Sequence, residues 1–130
     1  MALQVELVSP ERILFSGEAD MVLARTTDGD IAFLTGHTPL IGTLAVGAVT
    51  IRLTDGSQTH AAVHGGFVEV SHDRVTLLSD LAELADQIDE ARAQAAQDRA
   101  GRREAELEDA ETEAGLRRAH ARLEAVRRAR

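Results

Sequence analysis

The sequence predicts a β-sandwich over residues 1–85 followed by an antiparallel hairpin of two helices over residues 86–130. Period-two alternation of β-branched and aliphatic residues in the first part marks half-buried strands. Turn dipeptides punctuate those runs. After residue 85 both Pro and Ser vanish, and Ala, Glu and Arg dominate, a composition with strong intrinsic helix preference.

Taken in order, Leu3, Val5 and Leu7 alternate with Gln4 and Glu6, and Val49, Ile51 and Leu53 alternate with Thr50 and Arg52. Val68 and Val70 flank Glu69; Val75 and Leu77 flank Thr76. Turns are expected at Ser9-Pro10, Ser16-Gly17, Asp28-Gly29, Asp55-Gly56, Gly65-Gly66 and His72-Asp73. Asp-Gly permits the positive φ angles of a two-residue hairpin. Strands at intervals of roughly 8–12 residues suit a sandwich. In the second part Asp86, followed by Asp89, reads as a helix N-terminus with Asp86 as the cap. Ile88, Ala91, Ala95, Leu107, Leu116, Leu123 and Val126 give a thin apolar stripe, so this segment is expected to dock weakly, move or borrow burial from a partner. Gly101 and the acidic run Glu104–Asp109 mark the break between helices; one continuous helix is the alternative.

Composition narrows the function. A formal net charge of −8 argues against nucleic-acid binding, which usually shows a basic stripe. No cysteine is present, which excludes disulfides and thiolate metal sites. The start, MALQVELVSPER, lacks the pattern of a signal peptide, and no run approaches the ~20 apolar residues of a membrane span. A soluble cytoplasmic protein is expected. All 14 basic residues are Arg, which reads as compositional bias of the source.

Several residues invite chemical readings. His37, in a Gly-His-Thr-Pro turn, suits a general base or a residue capping backbone groups. His60 and His64 fall on one face of a strand but ~13 Å apart, too far for one metal ion; with His72 they read as solvent-facing or interface histidines. Gly65-Gly66 resembles a phosphate loop, yet no helix start follows and no Lys exists, so close strand packing or a bulge explains it better.

Three stretches, GDIAFLTGHTPLIGTLAVGAV (Gly29–Val49), HGGFVEVSHDRVTLLSD (His64–Asp80) and IDEARA (Ile88–Ala93), together resemble the epsilon subunit of bacterial F-type ATP synthases. The resemblance covers nearly the whole chain and implies the same division into sandwich and helix pair. It implies a non-catalytic central-stalk subunit that binds the gamma subunit, rests on the ring of c subunits and couples ring rotation to ATP synthesis. The helices would be a regulatory arm, permissive when packed down and inhibitory to ATP hydrolysis when extended against the beta and alpha subunits. The place would be peripheral, on the cytoplasmic face of the bacterial plasma membrane.

The resemblance also assigns residues. Asp30, Gly36 and His37 would face the c-ring. Ile88, Asp89, Arg92 and Ala93 complete a pattern that binds regulatory ATP in some members; no other cofactor is implied. Asp89 would accept from adenine or ribose, and Arg92 and Arg99, seven apart on one helical face, would meet phosphates, with Arg118 and Arg122 from the second helix. The competing reading is a solvated helix laced by i,i+3 and i,i+4 pairs of ~0.2–0.5 kcal/mol each. Arg117, Arg118, Arg122, Arg127, Arg128 and Arg130 form a basic end suited to acidic parts of the beta subunits. A stand-alone nucleotide sensor or adaptor is the alternative function, and an enzyme using His37 or the His60–His64 pair the least supported.

Overall fold

The structure, a computed structural model, describes residues 2–106 and 110–129, with side chains outside 101–112. Seven strands, β1 (Leu3–Val8), β2 (Ile13–Thr26), β3 (Gly29–Leu34), β4 (Leu40–Leu53), β5 (Gln58–Ser71), β6 (Arg74–Leu78) and β7 (Ala82–Leu84), precede a 3-10 turn (Ala85–Gln87). Two helices follow, α1 (Glu90–Glu106) and α2 (Ala110–Arg128). The predicted sandwich and helix pair are both present. α1 runs through Gly101, which therefore does not end it. Leu107 and the end of the acidic run, 107–109, lie outside the described residues.

The sheet runs β1-β6-β5-β4-β2-β3 and closes through β1–β2, with β7 added on β5. Every pairing is antiparallel except β1 with β6. Its inner face buries Leu3, Val5, Leu7, Phe33, Ile51, Val63, Val68, Val70 and Leu77 in one cluster. Among these only Phe33 is aromatic, so the core is packed from branched aliphatic side chains, as the composition required.

The strands are longer than the alternation suggests. β2, β4 and β5 each span 14 residues, and the expected turns at Ser16-Gly17 and Gly65-Gly66 lie inside β2 and β5. Changes of pleat phase explain the difference. In β5 the residues turned into this core cluster are Ala61 and Val63 before the glycine pair and Val68 and Val70 after it. The inward set thus changes from odd to even numbers within one strand. β4 makes the same change opposite, with Leu44 inward on one side and Val49 and Ile51 on the other. The two strands invert together at facing positions, Ala45 and Gly65, so their register is kept while each strand serves both layers.

Gly66 makes that inversion possible. Its φ is 125°, and a Cβ there would overlap the Leu78 carbonyl oxygen. Ser79 stabilises the spot by donating its Oγ hydrogen to the Gly65 carbonyl at 2.6 Å. The type of hairpin also departs from expectation. His72 and Asp73, with φ of 51° and 58°, form the two-residue turn between β5 and β6. At Asp28-Gly29 only Gly29 takes a positive φ, because the loop proper is Thr27-Asp28. The predicted turn site is right, but the conformation belongs elsewhere: Asn, Asp and His tolerate the left-handed region better than most residues.

Gly66→Ala is expected to lower stability by about 2–4 kcal/mol through strain and overlap. Gly56→Ala, also at positive φ (89°) but with open space around it, should cost about 1 kcal/mol. Urea unfolding midpoints check this; equal losses would show that overlap with Leu78 is immaterial.

Candidate functional site

The helices begin where a carboxylate can satisfy free amides. Asp89, not Asp86, is the cap: its Oδ1 accepts from the Arg92 amide at 3.0 Å, and its carbonyl accepts from the Ala93 amide. Asp86 is held in the 3-10 turn, which delays the helix start by three residues. Ile88, half-buried between turn and helix, packs beside Ala85 against Ala48, Ala62, Ala121 and Ala125. The buried helix stripe also differs from expectation. Leu123 is buried as expected, but Ala91 is exposed and Ala95 half-buried, while Ala93, Ala119, Ala121 and Ala125 are buried instead. Methyl groups carry the packing because α2 approaches the sheet closely.

A cavity of about 400 Å³ opens between the start of α1, α2 and β7. Ile88, Asp89, Arg92, Ala93, Arg99 and Arg122 all line it, joined by Glu83. Arg118 does not. Arg92 and Arg99 reach the cavity from one face of α1, and among the described residues neither has an ion-pair partner. Arg122 is held differently: its Nε donates to Glu83 Oε2 at 3.0 Å and its Nη2 to Oε1 at 3.0 Å. This side-on, half-buried pair ties α2 to β7. Sequence reasoning missed Glu83, because an acid on a three-residue strand 39 positions away gives no local signal.

The residues expected at a second contact are split by β3. Asp30 sits at its start, exposed, and accepts from Arg25 Nε at 3.1 Å; Arg25 Nη2 reaches Glu124 of α2 at 3.4 Å. Both carboxylates hold the Arg25 guanidinium more firmly charged than usual, the Asp30 hydrogen bond contributing most. Gly36 and His37 lie beyond the other end of β3. The Gly36 amide donates to Asp73 Oδ1 at 2.7 Å, tying this loop to the β5–β6 turn. His37 stacks edge-on against Phe33, and its Nδ1 lies 2.6 Å from the Thr38 carbonyl. A carbonyl only accepts, so Nδ1 carries the proton. No nucleophile partners it in this arrangement among the described residues.

His60 and His64 face neither solvent nor each other's metal. Both lie on β5 under α2, and among the described residues no group of three His, Asp or Glu could hold a metal ion. His60 Nδ1 is hydrogen-bonded to Thr50 Oγ1 at 3.0 Å. Burial, then Arg128, lowers its proton affinity. His72 forms the β5–β6 turn instead.

The opposite surface is apolar. A cross-strand row, Thr43, Phe67, Leu78, Val8 and Ile13, crosses from β4 to β2 on the outer face of the sheet. Phe67 is 59% exposed, Leu78 46% and Ile13 60%; Ile41, one step along β4, is 77% exposed. No described helix is long and apolar enough to cross a membrane.

Comparison with known proteins gives one consistent answer. The family described as ATP synthase, Delta/Epsilon chain, beta-sandwich domain matches residues 2–85. The ATP synthase epsilon chain of Streptomyces avermitilis is 51% identical over 125 residues, covering 95% of this chain and 94% of that one. That of Thermobifida fusca is 47% identical over 126 residues, covering 95% and 90%. Among solved structures, a chain of the Euglena gracilis mitochondrial ATP synthase, in an OSCP/F1/c-ring assembly, superposes with a TM-score of 0.83 at 19% identity, covering 92% of this chain and 78% of that chain. A chain of the Tetrahymena thermophila mitochondrial ATP synthase central stalk and c-ring gives 0.63 at 15% identity, covering 99% and 96%. At such identities these two bear on the fold alone.

Asp89→Ala should cost α1 about 1 kcal/mol by removing its cap, whereas Asp89→Asn, which keeps an acceptor oxygen, should cost a few tenths. Helicity and thermal midpoint without nucleotide check this. Equal losses would assign the effect to charge rather than to capping.

Proposed function

The chain belongs to the epsilon-chain family of ATP synthases, and from that premise we propose that it is a non-catalytic subunit of the central stalk, joining the gamma subunit to the c-ring. The observation that carries this reading is the apolar row in which exposed Phe67, Leu78 and Ile13 are joined through half-buried Val8, extended by exposed Ile41. Large side chains left open to water in a continuous row are the mark of a surface that a partner covers. We assign this face to gamma. The Gly36–His37 loop, stiffened by Asp73 and Phe33, is assigned to the c-ring together with the exposed Asp30 at the other end of β3. The complex would place the chain peripherally on the cytoplasmic face of the bacterial plasma membrane.

Residues 86–130 act on this reading as a regulatory arm. Its seat on the sheet is built largely from alanine, and its last turn is basic with Arg127 and Arg128. Arg130 lies outside the described residues. Lifted from the sheet, that basic end suits acidic surfaces of the beta and alpha subunits, an attraction weakened by salt. The cavity beside Asp89 is proposed to take regulatory ATP. Its support is the convergence of Arg92, Arg99 and Arg122 with Ile88 and Ala93, cations for phosphates beside apolar walls for a base. Arg118 would join only after moving, and Arg122 would have to share itself between Glu83 and phosphate.

Phe67→Asp should weaken gamma capture about 30-fold, ~2 kcal/mol, without lowering the urea midpoint of the isolated chain. Removal of residues 86–130 should leave gamma capture unchanged and raise ATP hydrolysis by the assembled complex. Capture lost on truncation would overturn this division of labour. Calorimetric titration with ATP should show binding by the wild type, weakened about tenfold or more by Arg92→Ala; no binding at millimolar ATP would remove the nucleotide from the proposal.

A further inference from the structure

α2 lies on a strip of the sheet whose two ends carry histidine. Along β5 the strip is His64, Ala62 and His60; opposite on β4 it is Val46, Ala48 and Thr50. Arg118, Ala121, Arg122, Ala125 and Arg128, related by steps of three or four residues, share one side of α2. Ala121 and Ala125 meet Ala48 and Ala62 in the middle. At one end Arg122 and Arg118 act on His64, and at the other Arg128 acts on His60.

His64 is the anomaly. Both ring nitrogens are buried and, among the described residues, neither has a hydrogen-bond partner, although the backbone amide of the same residue donates to the Leu81 carbonyl. Buried polar atoms are nearly always paired, so an imidazole left unpaired costs stability that an apolar residue of similar size would not. The groups around it are Arg122 and Arg118 from α2 and Glu83 from β7. The adjoining 3-10 turn contributes only the exposed Asp86, and the cross-strand neighbour on β4 is Val46. Glu83, the one nearby anion, is already committed to Arg122. At the far end Glu124 holds Arg128 at 2.6 Å, while His60 meets Thr50.

We propose that this seam is a proton-sensitive latch: α2 seats on the sheet while His64 is neutral, and protonation of His64, reinforced by His60, unseats it. An imidazolium at His64 would sit dry, without an acceptor and beside two guanidinium groups. Lifting α2 gives it water and removes both cations.

The direction follows from linkage. Burial first, then Arg122 and Arg118 against the opposing Glu83, push seated His64 down to about 4. With α2 lifted the ring returns to its ordinary ~6.5. A base with lowered proton affinity in the seated state favours seating fully above ~6.5. The advantage is lost as pH falls below that value and is exhausted near 4. Between pH 7 and 5.5 the ratio of seated to lifted arm should fall roughly tenfold. His60, whose affinity is lowered in the same direction, adds to the effect. The latch rests on the reading of residues 86–130 as a movable arm, and would couple release of that arm to acidity around the complex.

Ring-proton NMR titration and amide hydrogen exchange on the isolated full chain test it, with β6 amides reporting global unfolding and exchange corrected for intrinsic pH dependence. In the wild type His64 should not titrate near 6.5, and α2 amides should open roughly tenfold more at pH 5.5 than at pH 7 while β6 stays protected. His64→Gln and His64→Phe should reduce that response, and His60→Gln with His64→Gln should abolish it. Wild-type His64 titrating at its ordinary value with constant α2 protection would overturn the latch, as would a full response in His64→Gln. Should the variants fail to fold, the wild-type titration decides alone. If truncation of residues 86–130 leaves hydrolysis unchanged while α2 opens with acid, the inhibitory role falls and the latch stands.

Discussion

The inversion of side-chain phase at Ala45 and Gly65-Gly66 is the constraint from which the rest of the molecule follows. Without it a 14-residue strand would present one set of residues to the core from end to end. With it, β5 buries Ala61 and Val63 in one half and Val68 and Val70 in the other. The outward residues then fall into two unlike groups. His60, Ala62 and His64 form a floor for α2, while Phe67 and Glu69 join the exposed face. This one inversion therefore separates the seat of α2 from the exposed face proposed to meet a partner, on the same pair of strands. A side chain at Gly66 would abolish the geometry, since the Leu78 carbonyl occupies the space.

The floor sets how firmly the arm is held. Ala48, Ala62, Ala121 and Ala125 allow close approach but bury little apolar area each, at about 25 cal/mol per Å². Ion pairs at the margins, Arg122–Glu83 and Arg25–Glu124, fix the register of α2 more than they add stability, because both remain in partial contact with water. A seat of methyl groups with charged edges suits the reversible contact that the proposed arm would need. A leucine-filled seam of the same length would hold the helix too tightly to respond to a ligand or a proton.

Much of this was legible in the sequence, and the failures are instructive. Alternation identified Leu3–Leu7 and Val75–Leu77 because β1 and β6 are short and unbulged. It breaks β2, β4 and β5 into fragments because the period resets inside each, and a glycine inside a strand looks like a glycine in a turn. Apolar size finds Leu123 in the helix stripe but passes over Ala93, Ala119, Ala121 and Ala125, which are buried with it. Asp86 and Asp89 are equal as cap candidates by composition, and the 3-10 turn that decides between them depends on tertiary contacts of Ala85 with the alanine cluster. The IDEARA residues do converge on one cavity, but Glu83 and the buried His64 are positions that only the folded sheet brings to α2.

Arg122 would join the two proposed regulatory features into one system. Its guanidinium lines the cavity, pairs with Glu83 and stands beside His64. On the proposed reading, a phosphate entering the cavity would add negative charge next to Arg122, and so lessen the repulsion that keeps a proton off His64. The same phosphate, bridging α1 and α2, would stabilise the seated hairpin by an amount that grows with the logarithm of its concentration. The two effects would act on one equilibrium. Proton binding to a seated arm would become less costly with nucleotide present, and by reciprocity nucleotide would bind the protonated seated arm more tightly than the neutral one. Acid would therefore unseat the arm most readily with the cavity empty, which would make Arg122, rather than either ligand alone, the residue through which the position of the arm is set.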